Sequence, residues 1–373
     1  MLRVRVLLSA AALTLVAVVV GGWSGRPLQS RGDPGLELTI RASPGWDRTA
    51  VTPAMLRRVA GIIRDRMRQL AVTGAVTLEP RSDRLVVQIP RVHDPARATG
   101  LILTTGHLML FDFENDLTGP SLDVNGDPVA TPTLYGLLSQ VQKPTPLGKP
   151  QAYYLFETST TTSNPTVAAG PDATTKELLR PFGGKVPANG TILAVPEKRI
   201  VVSCAAANGC LGIHASAISK NGVYYYLLRY DPRNTTNPVP ELGNGSLVSS
   251  GTRADLTQAG NPVVLLQLTD RGSKELQKIT RREAHRGQAK YALTGKRGSY
   301  LGYVQHFAIV LDGVLRSTPY IDFKLNPDGI PGPNAELDMG RGGTGQDAKD
   351  LALVLRTGAM PCRLTLVSKR VVH

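Results

Sequence analysis

Gly340-Arg341-Gly342-Gly343-Thr344-Gly345 has the Gly-x-Gly-x-x-Gly spacing that lets backbone amides at the start of a helix cradle a pyrophosphate. A dinucleotide site also needs an acidic ribose ligand about twenty residues further on. The stretch Arg363 to Arg370 offers no carboxylate, so the glycines are read as a turn before a helix and no cofactor is expected. Asp123, Asn125 and Asp127 alternate as calcium-loop ligands do, but Pro128 stands where that loop requires Gly and Leu134 where it requires Glu. A surface turn at Asn125-Gly126 accounts for them. His93, His107, His214, His285, His306 and His373 show no metal-ligand spacing, and Gly-x-Ser-x-Gly is absent. Neither a metal centre nor an enzyme is expected.

Binding chemistry has more to work with. Lys274, Lys278, Arg281, Arg282 and Arg286 begin a basic tract that continues through Lys290, Lys296 and Arg297, in a chain whose formal charge is +14. It reads as a solvated face or as a docking surface for anionic lipid or acidic clients. Tyr224, Tyr225 and Tyr226 in one strand offer rings for a passing polypeptide, and alternation puts Tyr225 on the face opposite the other two. Cys204 and Cys210 flank Ala-Ala-Ala-Asn-Gly, a small turn that suits a local disulfide, leaving Cys362 as a small apolar residue.

These residues need elements to hold them. Leu36, Leu38 and Ile40 alternate with polar neighbours and predict a half-buried strand. Thr52-Pro53 starts a helix whose apolar face is Met55, Val59, Ile62, Ile63, Met67 and Leu70, with Arg57, Arg58, Arg64, Asp65, Arg66 and Arg68 mostly opposite. Leu85 to Ile89 is a strand, Asp94-Pro95 opens a second helix, and Leu108 to Phe113 is a further strand. Residues 115–240 turn to Thr, Pro, Asn and Gly, with short strands and a short helix near Thr175. Periodicity returns with a strand at Val263 to Leu268 and a helix from Asp270 to about His285. Asp312-Gly313 predicts a tight hairpin, and Ala348, Leu351, Ala352 and Leu355 share one face of a helix ending at Gly358.

At the amino terminus, Arg3 and Arg5 precede the apolar run Val6 to Val20. An uncleaved membrane anchor and a cleaved signal both fit, and both export the residues that follow. Later apolar runs are too short to span. Export permits the disulfide and argues against a nucleic-acid partner.

Two blocks, in order, resemble the SecD family of protein-translocase subunits. The first comprises Ile62-Ile63-Arg64-Asp65-Arg66, Leu85 to Pro95, Leu101-Ile102 and Leu108 to Phe111; the second comprises Phe307 to Ile321 and Gly345 to Cys362. Met360 replaces the family's usual Leu, and Asp33-Pro34-Gly35 stands where the family has Asp-Gly-Gly. The resemblance implies an α+β fold in which both flanks build a ferredoxin-like base carrying an inserted α+β head, behind one N-terminal transmembrane helix. The expected boundaries are 1–24 anchor or signal, 25–32 linker, 33–114 base, 115–245 head, 246–368 base and 369–373 tail. It also implies a single-pass, extracytoplasmic module that binds emerging preprotein and swings its head. Its partners would be Sec translocon components, a separately encoded SecD/SecF-like membrane bundle, unfolded secretory polypeptide and the membrane. Ending at His373, the chain is expected to take its energy coupling from another protein. A membrane-anchored scaffold that keeps the fold without handling preprotein is the alternative.

Overall fold

Residues 33–372 are described in the computed structural model, apart from 46–47, 81, 143–147, 159–163, 215–218, 220, 296 and 340–342. The apolar amino-terminal run, the 25–32 linker, Lys296 and Gly340 to Gly342 of the glycine motif lie outside the described residues. No described helix is long and apolar enough to cross a membrane.

β1 (Gly35–Ser43) buries Leu36, Leu38, Ile40 and Ala42 in strict alternation. α1 (Pro53–Gln69) starts at Thr52, whose hydroxyl accepts the Met55 amide at 3.2 Å, with Pro53 in the first turn where no partner for its nitrogen is needed. After β2 (Ala75–Leu78) and β3 (Arg84–Ile89), α2 (Pro95–Leu103) is capped by Asp94, which accepts the Ala96 and Arg97 amides at 3.0 and 2.9 Å. The chain continues through β4 (Leu108–Asp112), α3 (Phe113–Asp116), α4 (Leu134–Ser139), β5 (Ala152–Glu157), β6 (Thr166–Asp172), α5 (Thr175–Leu178), β7 (Gly190–Val195), β8 (Arg199–Ala205) and β9 (Val223–Arg229). Then come β10 (Leu242–Gly243), β11 (Arg253–Leu256), β12 (Pro262–Gln267), α6 (Asp270–Leu293), β13 (Gln305–Leu311), β14 (Val314–Ser317), β15 (Tyr320–Ile321), β16 (Asn334–Asp338), α7 (Gly345–Thr357) and β17 (Arg363–Val372).

The two ends of the described chain share a sheet. β17 pairs antiparallel along the whole of β1, from Gly35 opposite Val372 to Ser43 opposite Arg363, and the sheet order is β17-β1-β3-β2. α1 and α2 close the buried face of this sheet with Val59, Ile63, Met67, Ala98 and Ile102. Of the 246–368 segment expected to complete the base, β17 is the described strand that joins this sheet. β11, β12 and β16 form a sheet of their own, and β13 pairs with β4.

A larger sheet runs β10-β4-β13-β14-β8-β9, with β15 beside β13. Both its faces are covered. Leu108, Leu110, Phe307, Ile309 and Leu311 enter a core with α6, α7 and β12, while Met109, Phe111, Ala308 and Val310 enter a second core with β8 and β9. Burial on both faces explains why these strands read as unbroken apolar runs rather than alternating ones. At the β13–β14 turn Asp312 and Gly313 have φ of 52° and 78°, the pair of left-handed conformations that a two-residue hairpin needs. Farther out, β6-β5-β7 and α4 enclose a smaller core around Leu137, Leu138 and Phe156.

Cys204 and Cys210 are joined, with sulfurs 1.98 Å apart, where β8 leaves the sheet. Replacing both by Ala is expected to cost about 2 kcal/mol, because the bridge closes a short loop in the unfolded chain. Urea midpoints with and without reductant check the value.

Candidate functional site

The chain crosses between the four-stranded sheet and the rest of the fold at residues 104–107 and again at 358–362, and three polar side chains clamp these crossings. Arg66 of α1 is fully buried. Its guanidinium donates to Leu101 O at 2.7 Å, Thr104 O, Thr357 Oγ1 at 3.2 Å and Gly358 O at 3.3 Å. One planar fork thus holds the ends of α2 and α7 together. Burial pulls its pKa down to about 10, partly opposed by the charge of Asp312.

Asp312, in the hairpin turn, accepts the Thr105 hydroxyl, the Gly106 amide at 3.0 Å and the His107 amide at 2.7 Å. Asn244 donates to Gly106 O at 2.8 Å and accepts the Leu108 amide at 2.9 Å. The crossings also touch each other, since the Met360 amide donates to Thr105 O at 2.8 Å. Gly106 has φ of 72°, and a Cβ there would lie 2.7 Å from Val354. No larger residue fits this approach without displacing Val354.

Beside the clamp lies a cleft of about 610 Å³, within the size range of ligand sites. Met55, Arg58, Arg271 and Glu275 reach its surface, Met109 and Met360 lie buried behind it, the Arg363 guanidinium is taken up by Pro44 O at 3.0 Å, and the far wall is the segment from Pro240 to Ser246. The Met55 thioether can adapt to differently shaped apolar side chains, and the Arg58 and Arg271 guanidinium groups can engage carbonyls and carboxylates. Such a lining can take a carbonyl or carboxylate together with an apolar side chain.

The residues singled out from sequence fall elsewhere. Tyr224 and Tyr226 are buried in the core. The Tyr224 hydroxyl accepts the Ser219 amide at 2.9 Å, and the Tyr226 hydroxyl donates to Leu211 O at 2.5 Å while its ring meets Phe113 edge-on. Burial pushes the Tyr226 phenol well above its usual range. Tyr225 is half-buried on the opposite face, so of the three it alone has surface to offer. Core packs on both sides of β9, whereas alternation alone demanded it on one.

The five basic positions also divide. Lys274, Lys278 and Arg281 are exposed on α6, but Arg282 and Arg286 turn inward to Glu241 and Asp112. Of the five, three are therefore left on the surface. Asp123 accepts the Asn125 and Asp127 amides, both at 2.8 Å, which closes the expected surface turn. Thr344, within the glycine motif, caps α7 by accepting the Asp347 amide at 3.1 Å. Cys362 is buried beside the cleft, and burial raises its thiol to about 11.

Comparison with known proteins agrees with this arrangement in sequence. The family model for the amino-terminal part of the P1 domain of protein translocase subunit SecDF matches residues 56–115, and that for the SecDF P1 head subdomain matches 235–362. The chain carries a SecD-type P1 domain. The head-subdomain match overlaps the 115–245 lobe expected from sequence only at 235–245. SecD of Acidaminococcus fermentans is 28% identical over 121 residues, which are 32% of this chain and 23% of that protein. SecD of Anaeromyxobacter dehalogenans is 27% identical over 124 residues, 32% of this chain and 16% of that protein. The match thus spans less than a quarter of either relative. A crystal structure of SecDF in a super-membrane-facing form aligns over 93% of this chain and 32% of its own, at 18% identity and a TM-score of 0.47.

Proposed function

We propose that this SecD-type domain is a non-enzymatic, extracytoplasmic polypeptide clamp that assists protein translocation, working beside a Sec membrane partner. The sequence family supports the process, and the cleft at two clamped chain crossings, to which Met55, Arg58 and Arg271 present surface, carries the assignment of the site. In this reading β1, α1, β2, β3, α2 and β17 are a ferredoxin-like base: their order along the chain and the sheet order β17-β1-β3-β2 are those of a βαββαβ unit with the last strand delayed. The inserted arm runs from 104 to 362, and the crossings act as its hinge. A disulfide between Cys204 and Cys210 suits an oxidising compartment, and the apolar amino-terminal run supplies an anchor or export signal.

Photocrosslinking tests this directly. A photoreactive residue in place of Arg271, exposed at the cleft, is expected to capture a stalled secretory chain, while the same residue in place of Val124, fully exposed in the Asp123 turn, captures little. Equal capture at both positions, or none at Arg271 during active export, leaves the scaffold reading in its place.

A further inference from the structure

Between α6 and the larger sheet lies a seam of buried ionisable groups that the cleft does not use. From β4, Asp112 has 1% of its side chain exposed; it accepts Arg286 Nη1 at 2.9 Å and Nη2, and Arg282 Nε stands 3.8 Å away. Glu114 of α3 accepts the His306 amide at 2.9 Å and lies 2.5 Å from its ring, while Gln305 accepts Arg286 Nε at 3.4 Å. Arg282 also reaches Glu241, on the cleft wall, at 3.3 Å. Asp116 completes the seam 2.6 Å from Arg229.

Glu283 of α6 stands apart. It is fully buried, and neither carboxylate oxygen has a hydrogen-bond partner among the described residues. The charged groups acting on it are the carboxylates of Asp112 and Glu114 and the guanidinium groups of Arg282 and Arg286. Both arginines already serve Asp112 and Glu241. An ionised carboxylate without a donor is among the least favourable contents of a protein interior, and adding a proton removes that cost.

We propose that Glu283 is a proton-dependent latch for α6: protonated, it lets the helix lie against β4 and β13; ionised, it drives the helix off the sheet and pulls Arg282 from Glu241. Because Arg271 and Glu275 in the first turns of α6 and Glu241 opposite them line the cleft, the latch sets the position of that wall. Burial pushes Glu283 well above the usual carboxylate range and raises Asp112, and it raises Asp116 to about 6, so the seam as a whole holds protons more tightly folded than unfolded. Docking of α6 is therefore complete below the ordinary pKa of Glu and weakens as pH rises toward the raised value. The latch stands whether or not the cleft receives a polypeptide.

Amide hydrogen exchange of α6 in the full chain, corrected for intrinsic rates between pH 5 and 8, reads the latch. Protection at 276–290 is expected to fall by up to about tenfold per pH unit through the titration of Glu283. In Glu283→Gln the slope is expected to fall to the part that Asp112 and Asp116 contribute, and Glu283→Met, which fills the same space without ionising, is expected to match it. A wild-type profile without slope, or a slope that is undiminished in either variant, overturns the proposal.

Discussion

Arg66→Ala is expected to lower the unfolding free energy by about 3–5 kcal/mol, because it strands several acceptors at once inside the fold. The carbonyls of Leu101, Thr104 and Gly358 and the hydroxyl of Thr357 all lose their donor, and the space once filled by the guanidinium is left between α1, α2 and α7. Arg66→Lys is expected to recover little, since a single ammonium has no planar fork with which to reach acceptors on two helix ends. Chemical denaturation of the three proteins, followed by far-ultraviolet circular dichroism, checks the order wild type, Lys, Ala. A loss below about 1 kcal/mol for Ala would show the crossings to be held by packing alone.

Arg286→Ala carries the second large effect, about 3–5 kcal/mol near neutral pH. Asp112 keeps its burial and loses its two-pronged partner, leaving Arg282 at 3.8 Å as the remaining cation beside it. The sign of the pH dependence follows. Burial already raises the Asp112 carboxyl, and Arg286 is the largest opposing influence, so its removal raises the folded-state pKa further. The variant's deficit is then smallest where the carboxyl is protonated in both states, below about pH 4, and grows as pH rises through the new folded value. Thermal unfolding from pH 4 to 8 measures this. A deficit independent of pH would assign the loss to packing of the arginine stem rather than to charge.

The local grammar of several elements was legible in the sequence. Alternation in β1, the Thr52-Pro53 and Asp94-Pro95 helix starts and the Asp312-Gly313 turn each follow from backbone chemistry within a few residues, and each element formed near its expected place. The misses come from contacts far along the chain. Arg66 read as part of the polar face of α1, yet 291 residues separate it from Thr357, whose hydroxyl it meets. Its spacing, three residues after Ile63 and four after Ile62, sets it within the apolar stripe and was the available signal. Asp312 was read for its turn and not for the three donors it gathers from another strand's approach. Partner strands decided the fate of Tyr224 and Tyr226, because nothing in β9 itself announces a second core across the sheet. α6 continues to Leu293, well past the expected end near His285. Its second half turns Arg282, Glu283 and Arg286 toward the protein, residue types that periodicity assigns to solvent.

In the proposed function the base sheet and the inserted arm hinge at the clamped crossings, and a polypeptide in the cleft changes the angle between them. Spin labels at Ser368→Cys on exposed β17 and Val124→Cys on the arm, with the full chain reconstituted in nanodiscs, report that angle as a distance distribution. Adding a stalled secretory polypeptide is predicted to shift the distribution, and Arg66→Ala to broaden it without polypeptide. Distributions that coincide with and without a crosslinkable polypeptide in the cleft would contradict the account.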